Sequence, residues 1–230
     1  MTFQHEFLKF QELDTKTING KRHYHVDGQY YPSVTTVLSG EDKPALEAWK
    51  LRVGAERAAQ ISLQATNRGT AMHSLLEAFV LNEDMTDHYK KAMPSNRALF
   101  EQLKPAIEKR VGRIYGIEAP LYSKTLGVAG RADFIADWDG TPAIIDFKSS
   151  TRVKKQEYMK GYYMQEALYS FMMFEMFGMH IPKMVTLVAT EETGYADIFE
   201  ERSAKWLPSA LDLVGQFYER AAAEPDKMIK

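Results

Sequence analysis

Apolar and polar positions change period along this chain, and the changes predict its elements. Residues 22–38 alternate on either side of Asp27-Gly28, a favoured hairpin turn, and predict two short strands. From Pro44 to about residue 66 the chain is rich in Ala, Leu, Glu and Arg, which predicts a helix. Asn67 stands where it can cap a second helix reaching about Leu81. A third helix is predicted over 95–113, with Ser95 as its cap. The period then shortens to two: 114–123 and 128–137 read as strands, 137–140 as the turn after them, and 143–149 as a third strand. A long helix over 157–177, strands over 183–190 and 195–200, and a helix over 205–223 follow. This order predicts an α/β fold, a mixed central β-sheet flanked by helices, with a helical N-terminal region.

The 14 glycines and 9 prolines are dispersed and mark no linker. Residues 1–230 are therefore expected to form one domain: 1–113 the N-terminal hairpin and helices, 114–200 the central sheet and helix, and 201–230 the C-terminal helix. A chain of 230 residues buries roughly 70–75% of its unfolded surface and needs no disulfide or structural metal to hold a core. It has no cysteine, which excludes disulfides, a thiolate zinc site, an iron–sulfur cluster and a cysteine nucleophile. The most apolar stretch, 164–179, is interrupted by Glu166 and Glu175, so it reads as a core helix; no membrane span is expected. Glu6, Glu12 and Asp14 precede the first arginine, Arg22, which is unlike a transit peptide, and no signal-length apolar run opens the chain. The expectation is a cytoplasmic protein. A net charge of −2 exerts no global pull on nucleic acid, so any such surface must be a local patch.

The candidate chemistry lies in 130–150. Asp133 and Asp146 interrupt apolar strands, where a carboxylate is disfavoured because half-burial strips its water. A cation would explain two of them on neighbouring strands. Strand alternation puts Asp146 and Lys148 on one face, and the hairpin at 137–140 can bring Asp133 beside Asp146. Two carboxylates and the carbonyl of Phe147 would make a hard-oxygen site suited to Mg²⁺ or Mn²⁺. Lys148 would sit against the attacking water and the phosphate, orienting or deprotonating that water. Taken singly, each residue also has a structural reading: Asp133 a strand-end cap, Asp146 and Lys148 an ion pair at a sheet edge.

Asp133 followed by Asp146-Phe147-Lys148 resembles the PD-(D/E)XK nuclease superfamily: an acid, a spacer with a turn, then acid–any–Lys. The resemblance implies a restriction-endonuclease-like core. Arg68-Gly69-Thr70-Ala71-Met72-His73 is similar to the Gly-x-x-x-His helix of RecB-type nucleases, which implies His73 as a metal ligand, with Glu77 at i+4 able to orient its ring; a half-buried helix histidine is the plain alternative. Glu118 is implied as a further ligand, or is an exposed residue at the start of its strand. Gln165 and Tyr169, four apart on one helix face, resemble the Gln-x-x-x-Tyr motif, implied to hold the lysine or touch phosphate. The segment Tyr31-Pro32-Ser33-Val34-Thr35 is similar to that of mitochondrial genome maintenance exonuclease-like proteins, which places Ser33 and Thr35 among the candidate DNA contacts, with Ser149 after the lysine. This closest subgroup implies a single-strand DNA exonuclease using one or two Mg²⁺ or Mn²⁺ ions. Lacking a transit peptide and cysteines, the chain is expected to be a phage or bacterial member outside the iron–sulfur branch.

Arg152, Lys154, Lys155 and Lys160, interleaved with Tyr158, Tyr162 and Tyr163, suit a single strand, with cations along phosphates and rings on bases; a solvated face is the alternative. Lys50, Arg52 and Arg57 offer a second wall. Arg68 and Arg131, beside candidate ligands, are placed to bind the scissile phosphate. Three rivals remain: a double-strand exonuclease or endonuclease on the same fold, an inactive nucleic-acid-binding module, and a non-haem iron oxygenase using His73.

Overall fold

The computed structural model describes residues 2–39 and 43–223. Its strands are β1 (Gln4–His5), β2 (Thr15–Ile18), β3 (Lys21–Val26), β4 (Gln29–Pro32), β5 (Val111–Ser123), β6 (Val128–Trp138), β7 (Thr141–Ser150), β8 (Lys183–Thr190) and β9 (Asp197–Arg202). Its helices are α1 (Val34–Leu38), α2 (Lys43–Val53), α3 (Ala55–Val80), α4 (Met85–Lys91), α5 (Pro94–Arg110), α6 (Lys160–Phe177) and α7 (Ser203–Ala223).

Six strands form a mixed sheet in the order β1-β5-β6-β7-β8-β9. β5, β6 and β7 are an antiparallel meander, β8 joins β7 in parallel through the crossover helix α6, and β9 returns antiparallel. One face is covered by α3 and α5, through Met72, Leu76, Phe100 and Leu103 against Phe134, Trp138 and Phe147. The other is covered by α6 and α7, with α1, through Leu168, Met172, Val214 and Phe217 against Ile135 and Ile144. With both faces covered, the central strands are buried on both sides, which is why β8 is apolar on both faces but for Thr186 and its two ends. This is the expected α/β architecture. No helix among the described residues is long and apolar enough to cross a membrane.

The Asp27-Gly28 hairpin forms between β3 and β4, both turn residues having positive φ (47° and 85°), as a tight two-residue turn requires. A second such turn, Asp139-Gly140, joins β6 to β7. Several expectations are corrected. The second strand of the first hairpin ends at Pro32; Ser33 then accepts from the Thr36 N–H and caps α1, burying Val34 and Val37 at helical spacing. Asn67 caps nothing: α3 runs unbroken through it, and the break falls instead at Gly54, whose φ of 84° separates α2 from α3. α5 opens at Pro94, not Ser95, since a proline's fixed φ and missing N–H suit the first helical turn. The short β1, β2 and α4 carry too few residues to set a period, and the pattern did not mark them.

Candidate active site

A row of acids crosses the sheet. Glu118 on β5 stands opposite Asp133 on β6, between the pairs Ile117↔Phe134 and Ala119↔Ala132. The β6–β7 ladder runs to Phe134↔Ile145, and one step beyond it Asp133 faces Asp146. There the strands part: the Phe147 N–H donates to Asp133 Oδ2 at 3.0 Å instead of to a backbone carbonyl. β7 stays paired to β8, with Asp146 beside Thr186. The parting leaves the Phe147 carbonyl facing α3, where His73 Nε2 lies 2.9 Å from it. The alternation expected of Asp146 and Lys148 is present, and the two side chains form an ion pair.

His73, Glu118 and Asp133 each offer a donor atom within 4.8 Å of the others. His73 Nδ1 is 3.5 Å from Glu118 Oε1, and Nε2 is 3.8 Å from Asp133 Oδ2. Glu118 has a φ of 47°, a left-handed conformation rare and strained for glutamate, of the kind that accumulates at functional sites. Two carboxylates, an imidazole and a nearby main-chain carbonyl are a donor set able to hold a divalent ion. With both ring nitrogens engaged by Glu118 and Phe147, Glu77 does not orient the ring; it lines the same cleft one turn away.

Asp146 lies deeper than the ligand role drawn from its spacing. It is 3% exposed and paired with Lys148, and its Oδ1 accepts from Gln165 Nε2 at 3.4 Å. Burial pushes its carboxyl up to about 6 despite Lys148. Lys148 Nζ also lies 3.9 Å from Asp133 Oδ2 and 5.2 Å from the Tyr162 ring. Burial opposes its charge, but the two carboxylates outweigh burial and hold it as a firm ammonium. The protein by itself thus presents Lys148 as a cation and not as a base. Tyr169 is buried against Gly130, where a Cβ would come within 2.6 Å of its ring, and its hydroxyl is engaged by the Arg131 backbone, so it packs against β6.

An open cleft of about 540 Å³ adjoins His73 and Glu118, bordered by Gly69, Thr70 and Arg131. Arg131 bonds to the Glu118 carbonyl and pairs with Glu12 at 2.7 Å. Arg68 reaches Ser149 Oγ at 3.3 Å and Glu191 at 3.1 Å. Arg131 is thus held at the cleft and Arg68 beside Ser149, each by an exposed carboxylate. Arg152, Lys155 and Lys160 are exposed and Lys154 is half-buried; among the described residues none of the four has an acidic partner. Tyr158 is 66% exposed among them, whereas Tyr163 is buried against Trp206 and has no face to offer a base. Ser33 is buried and its hydroxyl serves the α1 cap, while Thr35 is exposed. Lys50 pairs with Glu47 within α2.

One residue at this centre was missed. Glu166 on α6 is fully buried, and burial together with the Asp146 charge raises its carboxyl well above the ordinary range. Its only sequence signal is an acid in an otherwise apolar helix.

A family model of the PD-(D/E)XK nuclease superfamily matches residues 47–217. The crystal structure of SSO0001 is similar over 85% of this chain and 78% of its own, at 16% identity and a TM-score of 0.44. No curated protein matches the chain. The match runs from within α2 into α7 and so takes in the acid row, the lysine and His73; the chain belongs to the PD-(D/E)XK nuclease superfamily.

Proposed function

We propose that this protein is a metal-dependent DNA exonuclease of the RecB-like, mitochondrial genome maintenance exonuclease-like subgroup, acting on single strands in the cytoplasm of a bacterial or phage-infected cell. The observation that carries the reading is the alignment of Glu118, Asp133 and Asp146 across three strands, with Lys148 on one side and His73 on the other. His73, Glu118, Asp133 and the Phe147 carbonyl would hold Mg²⁺ or Mn²⁺, with Asp146 behind them. Such an ion, one or a pair, supplies Lewis-acid polarisation of the phosphate and eases deprotonation of water.

The chain's own groups do the rest. Lys148, kept charged by Asp133 and Asp146, positions the water and meets charge developing on the attacked phosphate. Gln165 holds Asp146 in place beneath it. Arg68 and Arg131 exchange their exposed partners Glu191 and Glu12 for phosphate oxygens, a forked contact that fixes the scissile group over the acids. Single-strand preference rests on the exposed Tyr158 among Arg152, Lys154, Lys155 and Lys160, a ring for stacking amid cations for the backbone. End processing in replication, recombination or nucleotide recycling is the role that goes with this reading.

The test compares end-labelled linear single-stranded DNA, linear duplex and circular single-stranded DNA with Mg²⁺ and with Mn²⁺. Release of nucleotides from the linear single strand, with the circle intact, is the expected result. Equal cutting of the circle replaces the exonuclease by an endonuclease, and preference for the duplex overturns the single-strand assignment. Binding without cleavage on all three leaves a binding module.

A further inference from the structure

Glu166 is costly where it stands. Its neighbours on α6, Met164, Ala167 and Leu168, are apolar and buried, and an apolar residue would fill the site without stripping a carboxyl of water. It shares its surroundings with Asp146, a second buried carboxylate, and with the Lys148 ammonium. Two buried carboxyls beside one cation would leave an unbalanced charge, which is relieved when Glu166 carries a proton. Its Oε1 accepts from Thr186 Oγ1, and its Oε2 has no hydrogen-bond partner among the described residues. Thr186 is the β8 residue in register with Asp146, so this contact fastens α6 to the sheet at the end of the acid row. The preceding residue, Gln165, places its amide on Asp146. Glu166 is not part of a second metal-type grouping: among the described residues His73, Glu118 and Asp133 are the only such set, and Glu166 is outside it.

We infer that Glu166 is a positioning residue for the Asp146–Lys148 pair: its contact with Thr186 sets the seat of α6 over β7 and β8, and thereby the Gln165 amide on Asp146 and the place of the Lys148 ammonium. This rests on the nuclease reading for its effect on rate, but not for its effect on the lysine. The other contacts of the pair with α6 are the long Gln165 bond to Asp146 and the Tyr162 ring 5.2 Å from the Lys148 ammonium, and both move with the helix, so the depth of α6 governs how firmly Asp146 and Lys148 are held.

The test uses Glu166→Leu, Glu166→Gln and Thr186→Val in the full chain. Two readouts are taken: kcat and KM on single-stranded DNA, and the ¹³Cε signal of Lys148 in lysine-labelled protein, assigned with Lys148→Arg. The leucine and valine variants are expected to lose kcat by about tenfold or more with KM within about twofold, and to displace the Lys148 signal. The glutamine variant keeps an acceptor for Thr186 and is expected to recover most of the lost rate and the wild-type signal. Folded leucine and valine variants with wild-type kcat and an undisplaced signal overturn the inference. If wild type cleaves no DNA, the nuclease reading fails and the lysine signal alone decides: displaced in the leucine and valine variants but not in the glutamine one supports positioning, undisplaced overturns it. Should Glu166→Leu not fold, Thr186→Val, which removes the same contact from the other side, gives the answer.

Discussion

Burial alone would push the His73 imidazole below its ordinary value of 6.5, yet the Glu118 carboxylate, the Asp133 charge and the Phe147 carbonyl raise it to about 9. A group whose folded pKa exceeds its unfolded value gives stability that is fully present below the unfolded pKa and is lost as pH rises through the folded one. With a chelator present, the urea midpoint is therefore expected to fall between pH 6.5 and about 9. His73→Ala is expected to flatten that fall; an equal fall in both proteins contradicts the assignment. A divalent ion competes with the same proton, so added Mn²⁺ is expected to stabilise more at pH 8.5–9 than at about 6.5. At this scale much of the site was legible. Asp133, Asp146 and Lys148 stand out because charges inside apolar strands are expensive, and His73 because Gly69 and His73 resemble the Gly-x-x-x-His helix of RecB-type nucleases. Glu166 was not legible, since periodicity does not tell a buried acid on an apolar helix from a solvent-facing one. Nor was the depth of Asp146, which depends on how far the β6–β7 ladder extends before the strands part.

Gly130 and Tyr169 show how one element positions another. Gly130 lies in β6 three residues before Asp133, and a Cβ there would sit 2.6 Å from the Tyr169 ring of α6. Gly130→Ala is expected to cost about 1–3 kcal/mol by overpacking, measured by chemical denaturation. In a Tyr169→Leu background the added methyl has room, and the cost is expected to fall below about 1 kcal/mol. Equal costs in both backgrounds would mean that the two positions do not press on each other. The strands of the meander were legible because a two-residue period and turn dipeptides mark both faces and ends. The α2–α3 junction was misplaced because Asn67 is a good cap in type but lies inside a continuous helix, while Gly54 alone supplies the backbone angle that breaks it.

At the scale of the molecule, the Asp146–Lys148 pair, the candidate ligands, Arg68 and Arg131 meet where α3, the parting strands and α6 converge. That convergence depends on both helical layers, and it is the part least written in spacing. With a net charge of −2 any attraction for nucleic acid has to come from a local patch. If Arg152, Lys154, Lys155 and Lys160 track a DNA backbone, replacing any one by Ala is expected to lower the slope of log affinity against log salt by about 0.7–1. Anisotropy titrations with Ca²⁺ in place of the catalytic metal would measure it, and an unchanged slope removes that residue from the path.

The most direct test of the central claim is the rate at which single-stranded DNA becomes acid-soluble nucleotides, with Mg²⁺ or Mn²⁺, for wild type, wild type with chelator, and Lys148→Ala. The account predicts hydrolysis that the chelator abolishes and that loss of Lys148 slows by roughly 10²-fold or more, with DNA affinity retained. Hydrolysis that persists undiminished in Lys148→Ala, or no metal-dependent hydrolysis by wild type, would contradict it.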